Sequence, residues 1–145
     1  MLSPLTLFTS SAFEKKDIDQ LWHNASTALM LGRVSQSLYI ASEIVKIDQK
    51  QQQRYWAHYR RGLELGAEFA EEVGNHYLAE YYWQSLVEYD PRDGEAWYGL
   101  AIAQANLQKY ELAKQSARQG LSRIPEHIKL KQFLQYLQQL TGGLG

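Results

Sequence analysis

The sequence predicts an all-α fold built from stacked helical hairpins, and three observations carry that prediction. From about Ile18 onward apolar residues recur at three- and four-residue steps, as in Leu63, Ala67 and Ala70, or Leu100, Ala103 and Leu107. Short clusters of turn-forming residues cut the chain into helix-length pieces. The stretch AWYGLAIAQANLQKYELAKQSARQGLSRIP, from Ala96 to Pro125, spends many interior positions on Ala and Gly. Larger side chains would bury more area, so the small ones point to two helices in close approach. No strand pattern competes.

The breakers are GRVS (Gly32 to Ser35), GNH (Gly74 to His76), DPRDG (Asp90 to Gly94), NLQKY (Asn106 to Tyr110) and IPEH (Ile124 to His127). In each, Gly, Asn or Pro can end or start a helix. They leave about seven helices with short connections, as antiparallel hairpins need. QKQQQRYW (Gln49 to Trp56) holds no breaker, so one helix is expected to run from about Gln49 to Val73. After Pro125, Ile128, Leu130, Phe133, Leu134, Leu137 and Leu140 make a last amphipathic helix, suited to covering the open end of a stack.

A chain of 145 residues fits one domain, since domains usually run to about 100–150 residues. Hydrophobic content of 45% with 21% charged residues is ordinary for a globular protein. A net charge of -1 argues against binding nucleic acid by phosphate neutralisation. The lack of cysteine removes disulfide and thiolate chemistry. MLSPLTLFTSSAF, at the start, has no basic residues before its apolar part and makes a poor signal peptide. No apolar run is long enough to span a membrane, so a soluble, cytoplasmic protein is expected.

A repeat sets the register. Counting Gly94 as first, Trp97 is fourth, Leu100 seventh, Ala101 eighth, Ala113 twentieth, Ala117 twenty-fourth, Gly120 twenty-seventh and Pro125 thirty-second. One step back, from Arg60, the same frame gives Leu63, Gly66, Ala67, Gly74 at the turn, Ala79, Trp83, Leu86 and Pro91. A fainter unit starts at Ile18, with Leu21, Ala25, Ala28, Gly32 at the turn, Ser37, Ala41 and Ile44. The pattern resembles the tetratricopeptide repeat family, a helix-turn-helix unit of about 34 residues. Two departures stand out: Gln108 occupies the turn place where the family favours Gly, and Gln49 a place where it favours Pro.

The resemblance implies an alpha-alpha superhelix of about three hairpins, near residues 18–51, 60–93 and 94–127, with a C-terminal capping helix over 127–140. Residues 1–17 are expected to be a partly irregular N-terminal segment and 141–145 a flexible tail. Alanines would let paired helices approach, while Trp83, Trp97, Leu100 and Leu121 fill wider spaces between hairpins.

In that family the first helix of each unit lines a concave groove that takes a partner peptide. Its groove places fall here on Arg61, Glu64, Glu68 and Glu71, then on Glu95, Tyr98, Ile102 and Ala105, with Trp22, Ser26 and Leu29 in the faint unit. Trp22, Leu29, Arg61, Glu64, Glu68, Glu71, Tyr98 and Ile102 are the candidate partner-binding residues. Aromatic anchors beside carboxylates suit a ligand with apolar side chains and a basic residue. The Lys, Arg and Asn with which some members grip a C-terminal carboxylate are replaced by Tyr98, Ile102, Glu64 and Glu68, which argues against that clamp. The plain alternative for Glu64, Glu68, Glu71 and Glu72 is a solvated helix face.

Tyr39, Tyr77, Tyr81 and Ser85 fall on the convex side of the same frame. Exposed tyrosines there would mark an interface, a homodimer included, whereas partial burial against a neighbouring helix would make them structural. RYWAHYRR (Arg54 to Arg61) interleaves basic and aromatic residues as RNA-binding surfaces do, yet Trp56 and Tyr59 can equally face inward with Arg54 and Arg61 solvated. His23, His58, His76 and His127 show no metal-ligand spacing, and no nucleophile or phosphate-cradle motif is present. No catalytic residue, metal or cofactor is assigned.

The expected function is therefore a protein-interaction module, adaptor or chaperone-like subunit. The alternatives are a structural subunit using its convex tyrosines and termini, and an RNA-binding helical repeat. Leu2, Leu5, Leu7 and Phe8 of the N-terminal segment could occupy the groove or reach a second copy.

Overall fold

The computed structural model describes residues 15–142; the N-terminal segment (Met1 to Phe13), expected to occupy the groove or reach a second copy, and the last residues of the expected tail lie outside them. Seven α-helices are present among the described residues: α1 (Lys15–Met30), α2 (Val34–Ile47), α3 (Gln52–Glu72), α4 (His76–Tyr89), α5 (Gly94–Asn106), α6 (Tyr110–Arg123) and α7 (Ile128–Leu140). A single 3-10 turn, Gln49–Gln51, leads into α3, so the breaker-free stretch is helical as its sequence predicts. The chain divides inside α3, between Leu65 and Gly66, into two compact units.

Three hairpin turns close in the same way. After α1, α3 and α5 the N–H groups of Arg33, Asn75 and Lys109 reach back to the carbonyls of Ala28, Ala70 and Gln104, at 2.9, 2.8 and 2.9 Å. The residue before each donor takes a left-handed backbone: Gly32 at φ 77°, Gly74 at φ 71° and Gln108 at φ 62°. This is the Schellman closure, which satisfies carbonyls that the helix end leaves open and favours glycine because other residues carry a Cβ. Gln108 shows that the third turn keeps the geometry without the preferred residue.

The connections between hairpins use side-chain caps. Asp48 accepts a hydrogen bond from the Lys50 N–H at 3.1 Å, Asp93 from Ala96 at 3.1 Å, and the His127 ring from Leu130 at 3.2 Å. His127, a turn residue in the sequence reading, is the N-cap of α7.

In the first unit Ile18, Trp22, Ala25, Ala41 and Ile44 form the core between α1 and α2, and Tyr55 of α3 packs onto it. Gly62 of α3 lies against Leu38 of α2, where a Cβ would stand 2.7 Å from the leucine side chain. In the second unit Ala70, Ala79 and Ala103 meet, with Trp83 of α4 packed against them. Trp83 also lies flat on Gly99, which has no room for a Cβ beneath the indole. It thus fills the seam between the hairpin holding α4 and the hairpin holding α5, as expected.

Trp97 makes contacts within its hairpin and with the connection before it. Its side chain rests on Gly120 of α6, within its own hairpin, and its indole N–H donates to the Pro91 carbonyl at 2.7 Å. The bare backbone at Gly120 makes space for Trp97 from one side and Leu130 of α7 from the other. Large and small residues therefore interlock inside the hairpin as well as between hairpins.

Candidate functional site

Helices α5 and α7 run in the same direction, because each is antiparallel to α6. Between them a cleft of about 300 Å³ remains unfilled. Ile102, Ala105 and Asn106 of α5 form one wall, Phe133, Tyr136 and Leu140 of α7 the other, and Tyr110 closes the end at the start of α6. Phe133 links the walls: its ring meets Tyr98 edge-on at 5.9 Å and stacks on Tyr136 at 5.9 Å. Aromatic contacts of this kind stiffen a surface without closing it. Tyr136 and Leu140 keep 55% and 50% of their surface exposed, so the apolar wall faces solvent.

The entrance at the N-terminal ends of α5 and α7 is charged but internally balanced. Glu95 holds His127 at 3.3 Å and Lys129 at 3.5 Å, and the Lys129 ammonium stands 5.6 Å from the Tyr98 ring centre. The last turns of α3, in the same unit, carry Glu68 and Glu71, both exposed residues. Burial raises the pKa of the Glu71 carboxyl above its ordinary value, the Trp83 indole N–H toward which it lies lowers it, and Glu68 raises it further. His76 lowers it slightly. Neither Glu68 nor Glu71 has a lysine or arginine partner among the described residues.

The candidate residues named from the sequence fall into three groups. Tyr98 and Ile102 are half-buried on the cleft side of α5, and Glu68 and Glu71 belong to the same unit. Arg61 and Glu64 lie in the first unit, one turn apart on α3, where they pair with each other at 3.5 Å. Trp22 and Leu29, expected on the ligand side, are core residues with 2% and 7% of their surface exposed. The reason is local. In α1 the groove places coincide with the helix's one apolar stripe, Ile18, Trp22, Ala25, Ala28 and Leu29, and that stripe must be buried for α1 to pack at all. Trp22 is further fixed by its indole N–H on Gln51 Oε1 at 3.0 Å and by the Arg54 guanidinium at 4.6 Å from its ring.

The sequence assigns no groove role to Phe133, Tyr136 and Leu140, because a terminal amphipathic helix reads as a cap. The signal was there: one more step of the same frame starts at Ile128 and puts Lys129 and Tyr136 in the places held by Glu95 and Ile102. Tyr39, Tyr77 and Tyr81 are exposed at 60%, 70% and 62%, while Ser85 is half-buried and bonds the Tyr81 carbonyl. In RYWAHYRR, Tyr59 is half-buried as read, but Trp56 remains 39% exposed.

No family model matches the chain, and no curated protein matches it. Solved structures do. The first tetratricopeptide domain of Spaghetti (RPAP3) bound to the HSP90 peptide SRMEEVD superposes with a TM-score of 0.53 at 15% identity, over 89% of this chain and 96% of that one. The Sgt2 tetratricopeptide domain from Aspergillus fumigatus gives 0.53 at 17% identity, over 87% and 80%. MamA from Desulfovibrio magneticus RS-1 gives 0.53 at 18% identity, over 90% and 70%. The chain has the tetratricopeptide repeat fold. No described helix is long and apolar enough to cross a membrane.

Proposed function

We propose that this chain is a protein-interaction module, an adaptor or chaperone-like subunit without catalytic activity, which holds a segment of a partner protein in the cleft between α5 and α7. The observation that carries the reading is the apolar wall of half-buried Ile102 and Phe133 and exposed Tyr136 and Leu140 around an unfilled volume of about 300 Å³. Apolar surface kept open between rigid helices gains free energy when a partner's side chain covers it. The peptide bound by the similar RPAP3 domain supports the use of this fold for such a task. The test is capture of partners from the native cell with the wild-type chain and with Ile102→Glu. Loss of a specific partner from the variant is expected; an unchanged set of partners moves the site elsewhere.

A second reading has its own observation. Tyr39 of the first unit, and Tyr77 and Tyr81 of the second, are large, amphipathic and exposed, as residues of a permanent interface would be in an isolated chain. On that reading the chain is a structural subunit, and the purified protein self-associates or aggregates at concentrations where a free adaptor stays monomeric or dimeric. Sedimentation of the wild-type chain beside Tyr77→Ser/Tyr81→Ser decides between them.

A further inference from the structure

We infer that the segment held in the α5–α7 cleft is an extended, internal stretch with an apolar side chain in the cleft and, about two to three residues away, a lysine or arginine read by Glu68 and Glu71. This rests on the cleft being the binding site.

The acids are placed against local stability. Glu68 and Glu71 occupy the last turns of α3, and that helix has no basic residue in its final turn. A helix C-terminus already carries partial negative charge, so carboxylates there are unfavourable and cations favourable. Helices α5 and α7 also end without a base, and both run the same way as the end of α3. Side chains that break a local rule without compensation inside the fold commonly mark a place completed by something else. What is missing here, among the described residues, is a lysine or arginine.

The cations nearby are occupied. Lys129 is held by Glu95 at 3.5 Å, and Lys109 is held by Glu80 at 2.8 Å. A ligand presenting a terminal carboxylate or an acidic side chain would therefore meet Asn106 and aromatic rings in the cleft, with no free ammonium or guanidinium to replace its lost hydration. A basic ligand meets Glu68 and Glu71 instead, neither of which has a lysine or arginine partner among the described residues. The charge pattern selects the sign of the partner.

The spacing follows from the helices. Ala70 of α3 and Ala103 of α5 share one cluster, so these helices pack closely, at the roughly 8–10 Å usual for small contact residues. Ala105, the small residue on the α5 wall, leaves a low ridge for a chain passing from the cleft toward α3. A lysine or arginine spans part of that distance with its own side chain, and extended backbone at roughly 3.3 Å per residue covers the rest in about two or three residues.

The test selects phage-displayed random peptides on the immobilised full chain, synthesises the enriched ones with blocked termini, and titrates them by fluorescence anisotropy. Enriched peptides are expected to share an apolar residue and a nearby Lys or Arg. Glu68→Gln/Glu71→Gln is expected to weaken them roughly tenfold and to flatten the salt dependence, with an unchanged or higher Tm because the substitutions relieve the helix end. Peptides that bind this double variant as tightly as wild type, or that need a free C-terminal carboxylate, overturn the inference while leaving the cleft in place. Enriched peptides indifferent to Ile102→Glu, or no enrichment at all, overturn the cleft and the inference together.

Discussion

Where α2 meets α1 and α3 in the first unit, the buried contact is polar. Ser37 is fully buried; its hydroxyl donates to the Ala25 carbonyl at 2.6 Å, and His58 of α3 lies 2.7 Å from the same oxygen. A hydroxyl has one proton, so the His58 Nε2–H must be the donor of the second bond. Where α5 meets α4 in the second unit, the contact is instead steric, with the Trp83 indole laid on Gly99 beside Ala103. A directional seam tolerates little change in protonation but fixes which groups face each other; a packed seam depends on volume. The two halves of one repeat array therefore respond to different perturbations.

The largest effect is expected from the packed seam. Trp83→Ala removes the side chain that fills the space above Gly99 and should cost about 3 kcal/mol, toward the lower end of the aromatic-to-alanine range because Trp83 is only half-buried. Ala113→Leu, at a fully buried position of α6, should cost roughly 1–3 kcal/mol by overpacking. Chemical denaturation of the full chain measures both. If Trp83→Ala leaves stability unchanged, the seam is not held by volume.

Next comes the polar seam. Ser37→Ala strips His58 of its acceptor and should cost about 1–3 kcal/mol, although the side chain lost is small. Ser37→Thr, which keeps the hydroxyl, separates the bond from the space: recovery of most of that loss assigns it to the hydrogen bond.

Acid should split the two units further. Burial, and then the Arg54 charge, hold the pKa of His58 below its ordinary value, so between that lowered value and about 6.5 the unfolded chain binds more protons than the folded one. Stability contributed by neutral His58 is present above that window and is lost as pH falls through it. Glu71 has the opposite sign. Its raised pKa means the folded chain binds more protons in the window above the ordinary glutamate value, so acidification through that window favours the folded state. Hydrogen exchange at pH 7 and pH 5 is expected to show protection falling around Ser37 and His58 but not around Ala70 and Trp83. His58→Gln should remove the loss in the first unit. Equal losses in both units would mean that their seams do not differ in kind.

How much of this the sequence shows depends on the range of the interaction. Turns are local, and Gly32, Gly74 and the Pro91 and Pro125 connections were readable from residues a few positions apart. So were Tyr98 and Ile102, because α5 has enough apolar residues to fill its core face and still leave two for the cleft. In α1 the apolar residues suffice only for the core, which is why Trp22 and Leu29 are buried. Buried polar partners left no pattern to read. Ser116 finds Gln104 at 2.6 Å, and Lys114, almost fully buried, reaches Glu111 at 2.9 Å and the Thr141 hydroxyl at 2.9 Å, and such pairs depend on which helices meet. Phe133 and Tyr136 were hidden by reading α7 as an end rather than as one more first helix.

The smallest effect exchanges a single residue between turns of identical geometry. Gln108 holds φ at 62° where Gly32 holds 77°. A left-handed backbone costs a residue with a Cβ roughly 1–2 kcal/mol, and glycine's greater freedom in the unfolded chain returns about 0.5–1 kcal/mol of that. Gln108→Gly should therefore stabilise the second unit by about 0.5–1 kcal/mol, and Gly32→Gln should destabilise the first by a similar amount, each measured by denaturant midpoint. Opposite signs of similar size make the turn a transferable part, independent of the seam beside it. If Gln108→Gly is neutral or destabilising, the glutamine side chain contributes an interaction to the third turn that glycine cannot replace, and the turns of the two units differ as their seams do.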